Sequence, residues 1–353
     1  MNFATVAALR PLLERRLSGD FRAVRSGAPP GTRALVRLNE QLTLRGGKRF
    51  RAIVLLAGFH LATGRDPAPA IPAAAALEHF QSWMLIHDDI IDHARERRGG
   101  PAVHRAAAAL DPAGATGPGS DDYGCGIGIT LGDLEEPATV GSLLETPVPA
   151  VARLRALEEY VRMTRATAFG QLLDIRNGRR PPSRVTERDV YRVHELKSAI
   201  YTVVSPLRMG ALLGGAVPHR LADLTAIARD AGIAFQLRDD LLGAGFGSQT
   251  LDKSANDLIE GKRTLLIVHA WRHATDRQRA RLLAALGRPD APPSQIADAR
   301  EVLRETGSVE HSERAIRRLA DRSIRRLRQC RSIPPARKPL LEEIVRRLVE
   351  RSR

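Results

Sequence analysis

The sequence predicts an all-α protein of about a dozen helices. Three observations carry that reading. Alanine, leucine and arginine are abundant while aromatic residues make up only 4% of the chain, a balance that favours helix. Segments with apolar residues at helical spacing alternate with loop-forming stretches: RSGAPPGT (26–33), DPAGATGPGSDD (111–122), NGRRPPS (177–183) and GRPDAPPS (287–294). No convincing run of alternating apolar and polar residues marks a strand.

The elements follow in order. The N-terminal MNFATVAALRPLLERRL reads as an amphipathic helix with Val6, Leu9, Leu13 and Leu17 on one side. It has no charged segment leading into a long apolar run, so it does not read as a secretion signal. Helices are expected over 72–93, with Pro72 at the first helical position, and over 150–176, 187–204, 219–243 and 334–352. The 111–122 stretch reads as a flexible insertion, and no repeat of solenoid period is evident. The 353 residues can bury a sizeable core, and one domain over 1–353 is expected, with its motifs between about 35 and 270.

Composition narrows the function. No apolar stretch approaches the roughly 20 residues that span a bilayer. Cys125 and Cys330 stand in no metal-like spacing, which fits a reduced cytoplasm. The net charge of +15 has three readings: nucleic acid or an anionic membrane, an arginine-rich background on solvated faces, or small phosphate-bearing substrates. No recognised nucleic-acid-binding motif accompanies it.

Two places carry the chemistry. In LIHDDIIDHARERRGGPAVH (85–104) an apolar helical run ends in Asp88, Asp89 and Asp92. Asp88 and Asp92 stand one turn apart on one face, and Asp89 is rotated about 100° away. Like charges this close repel unless a cation sits among them. In FQLRDDLLGAG a second helical run ends in Asp239 and Asp240. Hard divalent cations take carboxylate oxygens, and Mg²⁺ binds one or two of them together with phosphates and water. No His/Cys set accompanies either cluster, so zinc is not indicated.

Basic residues surround these clusters in sequence. GGKRFR (46–51) sets Lys48, Arg49 and Arg51 after a glycine pair, where cations can meet phosphate oxygens. Arg97 and Arg98 follow the first aspartates, Lys197 lies in ELKSAIYTVVSPLRMGALLGG, and Lys253 and Lys262 lie in DKSANDLIEGKRT. Taken singly, each reads as a solvated charge.

Taken together and in order, GGKRFR, DDIID followed by RRG, Gly132-Asp133, GQLLD (170–174), Lys197-Ser198 before a proline-containing helix, FQLRDD and K…D…EGKRT resemble the trans-type polyprenyl diphosphate synthase family. That family includes the farnesyl and geranylgeranyl diphosphate synthases. The resemblance implies the isoprenoid synthase fold, a helical bundle with a deep central cavity, two aspartate pairs facing across its mouth, and a homodimer. It implies that Asp88 and Asp92 ligate two Mg²⁺ and Asp239 a third, with Asp89 and Asp240 in support. Arg97, Lys197 and Lys253 would bind the allylic diphosphate, helped by Lys262. Lys48, Arg51 and Arg98 would bind isopentenyl diphosphate. Gln81 stands where many bacterial members carry a histidine. The Lys197 carbonyl, the Ser198 hydroxyl and the Gln236 amide would face the developing cation, with Gln171 and Asp174 supporting the site. Ser198 replaces the usual threonine, Ala52 a proline, and Gly243 the last aspartate of the second motif; Asn256 stands where an acid is common, and Pro137 interrupts a usually smooth helix.

The expected product is short. Trp83 and Met84 lie about one turn below Asp88 and Phe80 about two, on related faces. Trp83 as a floor points to geranylgeranyl diphosphate, with farnesyl diphosphate as the alternative, although Trp83 also reads as an ordinary core aromatic. Two further readings compete. A class I terpene cyclase would need a serine four residues after Asn256 and would have no use for GGKRFR. A non-catalytic prenyl synthase subunit would lack an aspartate cluster, and here the first is intact.

Overall fold

The computed structural model of the chain describes residues 1–114, 116–246 and 256–350. Its described residues fall into two compact units, Met1–Glu158 with Pro206–Ala216, and Glu159–Ser205 with Val217–Arg353.

In the first unit the N-terminal pattern forms two helices, α1 (Phe3–Ala7) and α2 (Arg10–Gly27). The single amphipathic helix expected there breaks because Pro11 cannot donate to the preceding turn and so opens a new helix. Val6, Leu13 and Leu17 are nonetheless buried. Next come α3 (Arg33–Leu44), α4 (Phe50–Thr63) and α5 (Ile71–Ile91), the last opened by a proline in its first turn. A two-residue hairpin pairs β1 (Glu96–Arg97) with β2 (Gly100–Pro101), a sheet too short for any alternating pattern to announce. After it lie α6 (Val103–Ala108), α7 (Pro118–Leu144) and the start of α8 (Ala150–Arg179). Residues 118–122, read from sequence as part of an insertion, are the first turns of α7, because Pro118 suits a helix start. Pro137 lies within α7.

In the second unit α9 (Glu187–Val193) begins on a capping box between Thr186 and Asp189. It runs into a π-helix, His194–Val204, after which α10 (Ser205–Leu213) belongs to the first unit from Pro206 on. The remaining helices are α11 (Pro218–Gly243), α12 (Asn256–Ile259), α13 (Leu265–His273), α14 (Asp276–Leu283), α15 (Pro293–Glu305), α16 (Ser308–Gln329) and α17 (Lys338–Val349). The core of this unit joins Leu237 and Leu241 of α11 to Leu266 and Ile267 of α13 and Ile316 of α16.

A buried polar chain ties the first unit together. His79 of α5 is 1% exposed; its Nδ1 lies 2.6 Å from Glu135 of α7 and its Nε2 3.3 Å from Asp20 of α2. Asn39 of α3 donates to the same Glu135 at 2.8 Å, and Arg16 reaches Asp20 at 2.8 Å. Burial alone would lower the His79 pKa, but hydrogen bonds to Asp20 and Glu135 outweigh it and raise the group to about 9. Its stabilisation is therefore complete below the unfolded value near 6.5 and is lost as pH rises through 9. We predict that wild type exceeds His79→Gln in thermal stability at pH 6, by on the order of 3 kcal/mol. The gap should close by pH 10 in melting curves followed by circular dichroism, and a gap independent of pH would contradict the protonated bridge.

Candidate functional site

The first unit answers the question its aspartates pose. Helix α5 is buried along Ala73–Phe80, then ends in Asp88 and Asp89, with Asp92 as its cap. The Asp92 amide donates to the Asp88 carbonyl at 2.8 Å, which keeps the two residues one turn apart on the helix. Asp89 is wholly buried, whereas Asp88 and Asp92 are half-buried. The cation beside Asp89 is Arg97, whose Nε donates to Oδ1 at 2.8 Å and whose terminal nitrogen donates to the same oxygen. Burial raises the Asp89 pKa, Arg97 opposes that, and the charges of Asp88 and Asp92 add to it.

The RRGG turn makes this pairing possible. Arg98 and Gly99 both take positive φ, at 54° and 75°, the backbone that a tight hairpin turn demands. The turn sends Arg97 to Asp89 and Arg98 to the end of α3, where Nη1 donates to the Leu42 carbonyl at 2.9 Å. A Cβ on Gly47 would sit 3.5 Å from both Arg98 and Arg49, so the GGKRFR loop packs against the same turn.

The three cations of GGKRFR separate. Arg49, at φ 51°, turns inward and donates to Glu78 of α5 at 2.9 Å, its side chain fully enclosed. It is a structural cation and not one of the phosphate contacts its position suggested. Lys48 is exposed and Arg51 half-buried, as is Gln81 on α5.

Below the aspartates, Phe80 is fully buried and meets Trp83 edge-on at 5.8 Å. Trp83 and Met84 are half-buried. Trp83 in turn meets His87 edge-on at 6.2 Å, and both rings lie over Gly132 of α7, where a Cβ would stand 3.4 Å from Trp83 and collide with His87. His87 lies 3.5 Å from Asp133. The Gly132-Asp133 motif is thus the seat of the helix that carries the first aspartates. His87 was not among the residues singled out from sequence; its spacing of four from Trp83 was the available signal.

In the second unit the π-helix carries Lys197 and Ser198. Lys197 Nζ meets Asp174 of α8 at 2.7 Å, and Ser198 is buried. A Cβ on Gly170 of α8 would collide with the Lys197 backbone, and one on Gly232 of α11 would press on Ala199, so two glycines let neighbouring helices clamp this segment. The glycine of GQLLD therefore serves packing, and its aspartate orients the lysine.

The second aspartate pair repeats the division of the first. Asp240 is 5% exposed, accepts from the Gln236 amide at 2.9 Å and lies 3.0 Å from His194 Nε2, while Asp239 is half-buried. The missing acid at Gly243 has a replacement: a Cβ there would collide with the carboxylate of Asp257, which occupies the space. Burial raises the Asp257 pKa to about 7 against the pull of Lys262, 3.5 Å away. Lys262 also meets Glu260 at 2.7 Å. Lys253 lies outside the described residues.

Lysine is scarce in this chain. Only Lys48, Lys197, Lys253, Lys262 and Lys338 occur among 55 basic residues, the rest being arginine, and all but Lys338 lie in the motif segments. A compact ammonium is thus confined to these places, where a strongly hydrated point charge with three donors differs from a guanidinium fork.

Comparison with known proteins adds the following. The family model described as Polyprenyl synthetase matches residues 32–303. A short chain isoprenyl diphosphate synthase of Methanothermobacter thermautotrophicus is 31% identical over 279 residues, 79% of this chain and 79% of that protein. A geranylfarnesyl diphosphate synthase of Natronomonas pharaonis is 30% identical over 325 residues, 87% of each. Among solved structures, the geranylgeranyl pyrophosphate synthase of Corynebacterium glutamicum, complexed with isoprenyl diphosphate and magnesium, superposes with a TM-score of 0.90 at 30% identity over 100% of both chains.

The buried pair yields a prediction. Arg97→Met leaves Asp89 enclosed without its cation and should cost about 2–4 kcal/mol in urea unfolding. Arg97→Lys should recover only part, because a single ammonium cannot reproduce the two-nitrogen grip. Equal stability of Arg97→Met and wild type would show that Asp89 is protonated in the folded chain.

Proposed function

We propose that this chain, which belongs to the polyprenyl synthetase family, condenses isopentenyl diphosphate with allylic diphosphates and stops at the twenty-carbon geranylgeranyl diphosphate. It is an all-α prenyltransferase with the isoprenoid synthase fold. The observation that carries the reading is the division within each aspartate pair. One member is buried and held by its own unit, Asp89 by Arg97 and Asp240 by Gln236 and His194, while Asp88, Asp92 and Asp239 are half-buried.

That donor set fits magnesium. It consists of carboxylate oxygens alone, the donors that hard divalent cations take. Mg²⁺ binds in such places through one or two carboxylates and completes its shell with phosphate and water. When bound, it neutralises the charge that builds on a departing diphosphate. We assign Asp88 and Asp92 to two ions and Asp239 to a third, with Asp89 and Asp240 fixing their neighbours.

The chain's own groups do the rest. Arg97, Lys197, Lys253 and Lys262 hold the allylic diphosphate; Lys48, Arg51 and Arg98, with Gln81, hold isopentenyl diphosphate. The carbon–oxygen bond of the allylic substrate breaks, and the electron pair leaves with diphosphate. The Lys197 carbonyl, the Ser198 hydroxyl and the Gln236 amide oxygen, exposed when its nitrogen donates to Asp240, are the dipoles available to the allylic cation. The double bond of isopentenyl diphosphate, held alongside, supplies the electrons of the new bond. Released diphosphate takes the proton, and apolar walls keep water from the cation.

Product length rests on Trp83, wedged over Gly132, with Phe80 closing the space beneath it and Met84 beside it. A second copy of the chain is the proposed partner. Helix α8 leaves Val151, Leu154, Val161, Phe169, Leu172 and Ile175 exposed, Leu172 at 62%, which is far more apolar surface than one helix ordinarily shows to water. Among the described residues no helix is long and apolar enough to cross a membrane. We place the enzyme in the cytoplasm on the strength of its unpaired cysteines.

Incubating the protein with Mg²⁺, isopentenyl diphosphate and five-, ten- or fifteen-carbon primers, with products read by mass, tests the assignment. Wild type should yield the twenty-carbon diphosphate, Asp88→Ala should lose at least about a thousandfold in rate, and Trp83→Ala should lengthen the product. A fifteen-carbon product would place the floor higher, and no condensation with any primer would refute the synthase. Leu172→Asp should halve the molar mass seen by light scattering, and a monomeric wild type would remove the homodimer.

A further inference from the structure

The net charge of +15 is not absorbed by the prenyl chemistry, and one cavity collects part of the surplus. It lies wholly within the second unit and encloses about 910 Å³ between α9, the π-helix, α11 and α16. It shares no residue with the candidate site. Five arginines line it: Arg188, Arg192, Arg229, Arg318 and Arg322.

The acids present do not balance them. Asp189 is spent on the cap of α9, accepting from the Thr186 amide at 2.8 Å and from its hydroxyl at 2.7 Å. Glu195 is shared by Arg229 at 2.8 Å and Arg192 at 3.7 Å. Asp230, 2% exposed, is shared by Arg322 and by Arg326 from outside the cavity, each at 2.7 Å or less. Glu195 and Asp230 thus each answer two guanidinium groups, and Asp189 lies 3.6 Å from Arg180. Among the described residues, Arg188 and Arg318 have no acidic side chain within 4.0 Å. Five cations stand against three anions, two of which, Asp189 and Asp230, are also engaged outside the cavity.

The floor is apolar. Ile233, Ala315 and Leu319 are buried beneath the arginines, and the Tyr191 ring packs on the same core with its hydroxyl in the field of Glu187, Arg318 and Arg322. A cationic rim over an apolar floor, at a volume in the range of small-molecule sites, selects a ligand with a charged head and a carbon body. Guanidinium forks match phosphate oxygens in pairs.

We propose that this cavity is a second anion site, for an organic phosphate with an apolar or aromatic body, separate from the prenyl-transfer chemistry. Nucleotides and prenyl phosphates share that chemistry. Both would set phosphate oxygens among Arg188, Arg318 and Arg322 and rest their bodies on Ile233, Leu319 and the Tyr191 ring.

Titration calorimetry on the full chain, with divalent metals chelated, tests this with three probes: ATP, geranylgeranyl monophosphate and inorganic diphosphate. One organic phosphate should bind more tightly than inorganic diphosphate, which has no body for the floor. Arg188→Glu with Arg318→Glu should weaken that binding by about tenfold or more. Both side chains are exposed, so melting curves should show the fold intact, and the milder Arg188→Gln with Arg318→Gln should weaken binding in the same order. Asp88→Asn with Asp239→Asn should leave it unchanged. Preference for ATP identifies a nucleotide site, and preference for the prenyl phosphate a lipid-phosphate site. Absence of binding by both at millimolar concentration, affinity indifferent to the arginine pair, or affinity that follows the aspartate pair would overturn the proposal. None of these results depends on whether condensation occurs.

Discussion

A carboxylate buried at the end of an apolar helix is the constraint around which the first unit is built. Asp89 is fully enclosed on α5, and an enclosed charge persists only with a cation and hydrogen bonds beside it. The chain meets the requirement by folding back within eight residues, through a hairpin whose turn needs positive φ at both Arg98 and Gly99. Much else follows from that turn. It delivers Arg98 to the end of α3, seats the GGKRFR loop, and leaves Asp88 and Asp92 as the half-buried members of the motif. The second unit surrounds Asp240 differently, with the Gln236 amide donating to one oxygen and the His194 ring 3.0 Å from the other.

Rigidity below the first aspartates has a different source. His79, Glu135, Asp20 and Asn39 connect four helices through buried hydrogen bonds, so the helix bearing the motif is fixed laterally as well as at its tip. A charged imidazole between two carboxylates has a partner at each of its ring nitrogens, which is what makes this network rigid at α5. Functional groups at the end of a helix held in this way keep their geometry without relying on the loops around them.

Much of this was legible in the sequence, and the exceptions have physical reasons. Helices with strong period and end signals, such as Ile71–Ile91 with Pro72 in its first turn and Pro218–Gly243, fall within a residue or two of expectation. The split of the N-terminal helix followed from Pro11, whose effect the periodicity of Val6, Leu13 and Leu17 concealed, since the apolar stripe continues across the break. The start of α7 lay hidden in a Gly- and Asp-rich segment because composition marks loops only statistically, while the fold needed a helix there. Arg49 shows the limit of reading charges along a line: of three cations within four residues one is exposed, one half-buried and one enclosed, and only the backbone at φ 51° reveals that the middle one turns inward. Likewise, Gly243 read as a loss until the Asp257 carboxylate was found in the space it vacates, a relation between positions fourteen apart that no local pattern encodes.

The π-helix over His194–Val204 bears on how this chain can vary. Its backbone bonds one residue further than in an α-helix, as in the bond from the Ser205 amide to the Ile200 carbonyl, so the segment holds extra chain for its length. In an ordinary helix each residue accounts for about 100° of rotation. Deleting a single residue here would therefore not shorten a loop. It would re-phase the helix, swing Lys197 or everything beyond it to another face, and pull the backbone away from the two glycines that were cut to receive it. Insertions and deletions, usually the most freely tolerated changes in surface loops, should be among the least tolerated in this stretch, while point substitutions that keep the register remain open to it.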